Sequence, residues 1–378
     1  MATVAKKRIS IGVLMLGVAT AGYAVLSLWR ILTSTALDFS VYYAAAVSVL
    51  RHGNLYDAAG RFTVFAGPPA MVVPFLPFAL LPYSIAQGIW IIGSFAALVY
   101  AVWLVGRILN RTRWQWYVAA GALAFWFFPT RFTLGMGQVN LVALAMLVTG
   151  VWALQKRAYA TGYIGIVLAM LVKPQLLLLL VPVGMTLGVW SFMVIAGLYV
   201  GMTLVTIGIV GSGAWTAFVR QAWPLAAGFG DRGVYYNQSV SGTVFRLIPA
   251  HLSPYITIAA SAALFGVYVW CMIRRKRSVW DGVIFSLPIV LALDPLSWQH
   301  HYVFLLPVLA VAWQQTTTRT DTIWWIISYI FMSWNIKEPQ MLRAGIGNGV
   351  ILSHVFWGDL IVWYLLIKNG STIHKRPL

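Results

Sequence analysis

The chain has 378 residues, of which 61% are hydrophobic and only 9% charged, and its mean hydropathy is +0.82. A soluble domain carries roughly 25% charged residues, so a soluble enzyme, a disordered chain and a fibrous repeat are excluded and a polytopic membrane protein is expected. The net charge of +18 lies mostly in short segments between apolar runs, which is the pattern of positive-inside orientation rather than of nucleic-acid binding.

In chain order, Lys6-Lys7-Arg8 precede an apolar stretch from Ile9 to about Trp29. That stretch exceeds the roughly 7–15 residues of a signal-peptide core and reads as a first membrane helix. A span needs about 20 apolar residues. Twelve are predicted, at about 9–30, 84–108, 114–130, 139–155, 159–173, 175–190, 192–211, 254–273, 279–295, 302–314, 323–335 and 349–367. With both termini in the cytoplasm, most basic residues fall on the inner side, including Arg107, Arg111, Arg113, Lys156, Arg157, Arg274 to Arg277, Arg319, Lys368, Lys375 and Arg376. The fold expected is a single all-α transmembrane domain over 1–378, with a first outer loop at 37–83 and a second at 212–253. The lone cysteine, Cys271, has no intrachain partner for a disulfide.

Chemistry concentrates on the outer side. Asp38, Asp57, Asp231, Asp294 and Glu338 are five of the eight acids, and His52, His251, His300 and His301 four of the six histidines. In the first outer loop Phe39, Tyr42, Tyr43, Ala46, Val49 and Leu50 recur at helical spacing, predicting a short helix on the membrane surface. Asp38 at its start has two readings: an N-cap, whose carboxylate takes first-turn N–H groups, or a general base. Asp57 reads as a turn residue. Pro68, Pro69, Pro74, Pro77 and Pro82 rule out a regular helix in the segment that follows.

Further on, Gly137-Gln138-Val139-Asn140 opens a span, and Gln138 and Asn140 are either sugar-hydroxyl readers or helix caps. Lys173-Pro174-Gln175 interrupts a leucine run. A lysine beside hydrocarbon either snorkels or pairs with an anion such as a lipid phosphate. Tyr235-Tyr236-Asn237-Gln238-Ser239, between Arg220 and Arg246, combines aromatic faces with amides as sugar sites do. Asp294-Pro295-Leu296-Ser297-Trp298-Gln299-His300-His301 is the densest cluster. Adjacent histidines lack the spacing of three or four residues that chelation on a helix needs, so no metal is expected and phosphate donation is the better use.

Taken in order, Asp38-Phe-x-Val-Tyr-Tyr-x-Ala-Ala, Leu55-Tyr56-Asp57, Pro68-Pro69, Gly137-Gln-x-Asn140, Lys173-Pro-Gln175, Asn237-Gln-Ser239 and Ser297-Trp-x-His-His301 resemble glycosyltransferase family 87, membrane enzymes of the GT-C fold. The resemblance covers about residues 9–310. It implies a bacterial plasma-membrane enzyme, without cofactor, that moves one sugar, mannose or a pentose such as arabinofuranose, from a polyprenyl monophosphate to a glycolipid or envelope-glycan hydroxyl on the extracytoplasmic side. It places Asp38 as general base and His300 or His301 at the donor phosphate or acceptor. Lys173, Arg220 and Arg246 join them as phosphate-binding candidates, and Tyr42, Tyr43, Gln138, Asn140, Gln175, Tyr236, Asn237, Gln238 and Trp298 as sugar- or acceptor-binding ones. A transporter or flippase would instead need charged groups in mid-membrane, where Asp359 stands alone, and an assembly factor would need none of these side chains.

Overall fold

The structure, a computed structural model, describes residues 11–57, 60, 65, 67–222, 232–275, 277–337, 339 and 346–370. Lys6-Lys7-Arg8, Asp231, Lys276, Glu338, Lys375 and Arg376 lie outside the described residues. Helices follow one another along the chain: α1 (Ile11–Thr33), α2 (Leu37–Leu50), α3 (Tyr83–Ile108), α4 (Trp114–Trp126), α5 (Phe128–Met136), α6 (Asn140–Gln155), α7 (Tyr159–Val172), α8 (Leu180–Leu187), α9 (Val189–Val210) and α10 (Ser212–Ala217). The second half continues with α11 (Val240–Leu247), α12 (Ser253–Arg274), α13 (Val279–Leu293), α14 (Leu306–Gln315), α15 (Arg319–Ser333), α16 (Ile346–Leu352) and α17 (His354–Asn369). Among the described residues the β content is one isolated antiparallel bridge, Asn237 to Trp298. The all-helical membrane architecture expected from composition is present.

Among the described residues, fewer than twelve single helices are long and apolar enough to cross a bilayer. Four helices are both long and apolar enough to cross a bilayer alone, α1, α3, α9 and α12, and a fifth if the bent pair α5–α6 is taken as one. The reason is helix length. At about 1.5 Å per residue, the 14 residues of α7 and the 15 of α13 fall short of a hydrocarbon core about 30 Å thick. Breaks also divide runs that composition joins. Residues 175–190 become a 3-10 turn (Pro174–Leu179) and α8, ended by Gly188 at φ +90°. Residues 302–314 begin as a 3-10 turn (Gln299–Leu305).

Two local arrangements position the polar groups. First, α6 and α7 form an antiparallel hairpin of nearly equal arms, so the start of α6 and the end of α7 meet. Glycines let the arms touch: a Cβ on Gly165 would lie 2.9 Å from the Gly150 Cα, and one on Gly150 would lie 2.8 Å from the Ile166 nitrogen. Small residues are how membrane helices approach closely. Second, α5 and α6 meet at a 118° bend through Gly137, at φ +70°. Only glycine takes this conformation freely, and a Cβ here would also lie 2.6 Å from the Phe39 Cβ. The bend therefore rests directly on α2.

The proline-rich segment forms two 3-10 turns, Pro69–Phe75 and Phe78–Leu80. Their aromatic rings pack beneath α2: Phe39 lies 6.1 Å from Phe75 and 6.4 Å from Phe78, ring to ring. Asp57 is exposed and accepts from the Asn54 amide at 2.9 Å, which is the turn role expected of it.

Candidate active site

Asp38 does not cap its helix. The N-cap of α2 is Ala36, without a side-chain cap bond, and Asp38 lies within the first turn. Its Oδ2 instead accepts from Gln138 Nε2 at 2.7 Å, across 100 residues of sequence. Gln138 Oε1 accepts from the Tyr42 hydroxyl at 2.7 Å and from Lys173 Nζ at 3.5 Å. Those partners fix the amide's orientation. A carboxylate and a lysine offer one acceptor and one donor, so the NH2 must face Asp38 and the oxygen must face Lys173. Burial raises the Asp38 carboxyl above its ordinary value, while the Gln138 hydrogen bond and the Lys173 charge pull it back.

Lys173, at the C-cap of α7, is 5% exposed and turned inward, so it does not snorkel. Its Nζ lies 3.3 Å from His301 Nε2. The other ring nitrogen of His301, Nδ1, lies 3.5 Å from Gln175 Nε2 and 3.7 Å from Asp294 Oδ2. A lysine donates and cannot accept; His301 Nε2 therefore accepts from Lys173, and the neutral ring carries its proton on Nδ1, on the side of Asp294, where the Gln175 amide turns its oxygen rather than its NH2 to that N–H. Burial, then the Lys173 and His300 charges, push the His301 imidazole well below its usual range, keeping it neutral. Burial lowers Lys173 to about 8 against the pull of Asp38 and Asp294. Burial raises Asp294 to about 6, opposed by its Asx-turn bond from the Leu296 N–H and by the Lys173 charge.

One polar chain therefore runs Asp38–Gln138–Lys173–His301–Asp294. It joins α2, the α5–α6 bend, the end of α7 and the 294–301 segment. It carries a carboxyl group at each end, Asp38 and Asp294, and a buried ammonium at its centre. Asp38 Oδ1 takes no hydrogen bond among the described residues and is not sealed from the surface, so one carboxylate oxygen is held while the other is available for a proton.

The structure separates the two histidines. The His300 carbonyl accepts from Asn140 Nδ2 at 2.8 Å and from Thr133 Oγ1 at 3.0 Å, and its ring packs edge-on against Phe132. His301 carries its imidazole into the polar chain. Gln138 and Asn140 both fail to cap α6, whose N-cap is Val139.

Several expected sugar readers already spend their polar groups inside the protein. The Tyr43 hydroxyl donates to the Leu81 carbonyl at 2.8 Å. Asn237 donates to the Pro295 carbonyl at 2.9 Å, and Gln238 to the Leu352 carbonyl at 2.7 Å; both are 0% exposed. Asn237 and the Gln238 N–H to Ser297 carbonyl bond of 2.8 Å clamp the second outer segment to the 294–301 segment, and the Gln238 side chain ties it to the end of α16. Tyr236 and Trp298 stack with ring centroids 5.9 Å apart and planes 6° from parallel, beside His300. Arg246 donates to the carbonyls of Val234 and Asn237 and to the Ser353 hydroxyl, a loop-ordering role. Arg220 is exposed on a turn (Phe218–Ala222) and takes no part in the chain of hydrogen bonds.

Two positioning residues escaped the sequence reading. Gln87 on α3 accepts from the Ala36 N–H at 2.9 Å and donates to the Ser34 carbonyl at 2.8 Å, fixing the start of α2. Trp90, one turn on, donates to the Gly137 carbonyl at 2.8 Å. One face of α3 thus holds both halves of the Asp38–Gln138 contact. Gln87 carries a signal, as an amide inside the apolar run Ile85–Ile92; Trp90 carries none. Asp294 was noted in the densest cluster, but only its 3.7 Å approach to His301 makes it part of the site.

Known proteins are similar to this chain in sequence. The polyprenol-phosphate-mannose-dependent alpha-(1-2)-phosphatidylinositol pentamannoside mannosyltransferase of Mycobacterium tuberculosis (strain CDC 1551 / Oshkosh) is 28% identical over 337 residues, 81% of this chain and 76% of the relative. The protein of the same name from Mycolicibacterium smegmatis is 27% identical over 304 residues, 72% and 68%. A polyprenol-phosphate-mannose-dependent alpha-(1-2)-phosphatidylinositol mannoside mannosyltransferase of M. smegmatis is 23% identical over 396 residues, 92% and 87%. The sequence profile of glycosyltransferase family 87 matches residues 65–293, more than half of the chain, with Gln138 and Lys173 of the polar chain inside the match, and the protein belongs to that family.

Proposed function

We propose that this glycosyltransferase moves one mannose from a polyprenyl monophosphate to a hydroxyl of a glycolipid acceptor of the phosphatidylinositol mannoside type, with inversion at the anomeric carbon. The donor and acceptor classes follow the names of its mycobacterial relatives. The observation that carries the mechanism is the geometry of one carboxylate, Asp38, held by Gln138 beside the buried Lys173. The acceptor oxygen attacks the anomeric carbon. Its proton passes to Asp38 Oδ1. The bond from that carbon to the phosphate oxygen breaks, and polyprenyl phosphate leaves with the electron pair. Lys173 faces the growing negative charge, and preorganised cations of this kind supply a large part of catalysis. Tyr236 and Trp298 give aromatic surface for the apolar face of a sugar.

A lipid donor also needs an apolar path. A cavity of about 180 Å³ lies between α3, α4, α6, α14 and α15, lined by Leu144, Val148, Leu306 and Trp313 among others. These residues follow Asn140 and His301 on the same segments, one to three turns deeper. The site facing the extracytoplasmic side of a bacterial plasma membrane, both termini in the cytoplasm and about twelve crossings, with short helices completed by their adjoining 3-10 turns, belong to the same proposal.

Replacing Asp38 with Asn keeps size and the Gln138 contact while removing the base. With purified protein, mannosyl-polyprenyl phosphate and a phosphatidylinositol mannoside acceptor, transfer is expected to fall by about 10²- to 10⁴-fold. Full activity in the Asn variant would remove Asp38 from the mechanism. Turnover of arabinosyl- but not mannosyl-polyprenyl phosphate by the unaltered protein would overturn the donor assignment.

A further inference from the structure

At the end of α13 opposite Asp294, about 22 Å away for a 15-residue helix, α12 turns into α13 through Arg274–Ser278. Positive-inside orientation explains why this turn is basic, but not how its side chains lie. A snorkelling arginine extends towards water. Arg277 instead folds back along α13, its guanidinium carbon 3.8 Å from the centroid of the Phe285 ring. Phe285 is 1% exposed and eight residues further along the chain. Among the described residues, Arg277 Nε and Nη2 are shut off from solvent and meet no hydrogen-bond acceptor. Arg275 Nη1 is likewise buried without an acceptor. That nitrogen sits where a Cβ on Gly370, at the end of α17, would come within 3.1 Å.

Charge balance at this turn is incomplete. Arg275 repels Arg277. Asp281, the next acid along the chain, accepts from the capping Ser278 hydroxyl at 2.7 Å and, among the described residues, lies within 4 Å of no basic nitrogen. An unpaired buried donor costs about 1–3 kcal/mol, more when charged, and guanidinium forks that feel each other's charge, as these do, match the oxygens of a phosphate. The N-terminus of α13 adds a further electropositive group. Beside the turn, α12 presents Trp270 and Ile273 at 52% and 69% exposure, an apolar flank suited to acyl chains.

We propose that the α12–α13 turn is a phosphate-binding site that holds the headgroup of an anionic phospholipid through Arg277 and Arg275. It is separate from the donor phosphate site and independent of the transfer reaction. Basic pockets between membrane helices hold anionic headgroups in this way.

The test uses the full-length protein in neutral detergent. Phosphatidylglycerol and phosphatidylcholine of identical acyl chains are titrated separately by native mass spectrometry, and inorganic phosphate by thermal unfolding. At least tenfold preference for phosphatidylglycerol is expected. It falls to the phosphatidylcholine level in Arg277→Met and survives in Arg107→Gln, an exposed arginine at the corresponding end of α3. A rise in Tm with inorganic phosphate, lost in Arg277→Met and without lipid preference, supports the phosphate site and assigns it to the free ion. If neither probe binds selectively, if Arg277→Met binds as the unaltered protein does, or if Arg107→Gln loses as much, the site does not exist. Arg277→Lys, which keeps the charge but not the fork, serves if Arg277→Met does not fold; it too is expected to lose most of the preference, and full retention would overturn the guanidinium role.

Discussion

Replacing Gln138 with Met separates two readings of that amide. Met has similar length and no polar hydrogen, so packing against α2 is retained while the 2.7 Å bond to Asp38 Oδ2 is lost. A hydrogen bond to a charged group contributes about 1.5–3 kcal/mol. If that bond holds the carboxylate in line with the attacking hydroxyl, its loss appears in the transition state, and at about 1.36 kcal/mol per tenfold kcat falls roughly 10- to 150-fold. The pH profile carries a second signature. Gln138 lowers the Asp38 pKa, so removing it raises that pKa, and the acid limb of kcat/KM moves to higher pH. An amide that reads a sugar hydroxyl instead would raise KM and leave the acid limb in place. Steady-state rates from pH 4.5 to 8 with a radiolabelled donor distinguish the two. A raised KM with an unmoved acid limb refutes the clamp.

The proposed role of Lys173 predicts an alkaline limb. With the ammonium at about 8 in the free protein, kcat/KM is expected to fall as pH rises through that value, because the neutral amine no longer faces the phosphate. Lys173→Arg, which stays charged, moves the fall to higher pH even if the rate is lower; a limb that stays near 8 assigns it to another group. At the bend, Gly137→Ala sets a Cβ 2.6 Å from that of Phe39 at φ +70° and is expected to lower both Tm and transfer. Gly135→Ala, with nothing within 4 Å, is expected to leave both unchanged, and equal effects of the two would mean that the bend does not support Asp38.

What the sequence made legible, and what it did not, follows from the range of each interaction. The membrane class and the helical hairpins are properties of short windows, and composition reveals them. Asp38 stands out as an acid beside an aromatic helix, but its partner lies 100 residues away, so local rules offered a cap that the structure does not use. Cap geometry shifts with a single residue at a helix start, and here the start is Leu37. Adjacent histidines are equivalent in sequence. Asn140 and Thr133 distinguish them by seizing the His300 carbonyl. Asn237 and Gln238 look like sugar readers because amides are, yet an irregular buried segment must first satisfy its own backbone, and these amides do that. Span boundaries failed where an apolar run contains a hidden break, as at Lys173-Pro174 and Gly188, since hydropathy does not register a change of helix direction.

Lys173 stands between Asp38 and Asp294, so with both acids ionised and His301 neutral the free site carries a net negative charge, which opposes a phosphate. Asp294, at about 6, is the group able to relieve this. A phosphate arriving beside Lys173 withdraws the charge that stabilises the Asp294 carboxylate, so its pKa rises and it takes up a proton on binding. Between about pH 6 and the higher bound-state value, affinity for the phosphate then weakens as pH rises, by up to tenfold per unit. Inhibition by the product, polyprenyl phosphate, measured from pH 5.5 to 7.5 reads this directly. The ligand titrates as well, so the decisive comparison is Asp294→Asn, which is neutral throughout. Its inhibition constant is expected to vary less steeply with pH than that of the unaltered protein and to be lower at pH 7.5. Identical slopes would show that Asp294 only orients His301, and that the negative charge of the free site is neutralised elsewhere.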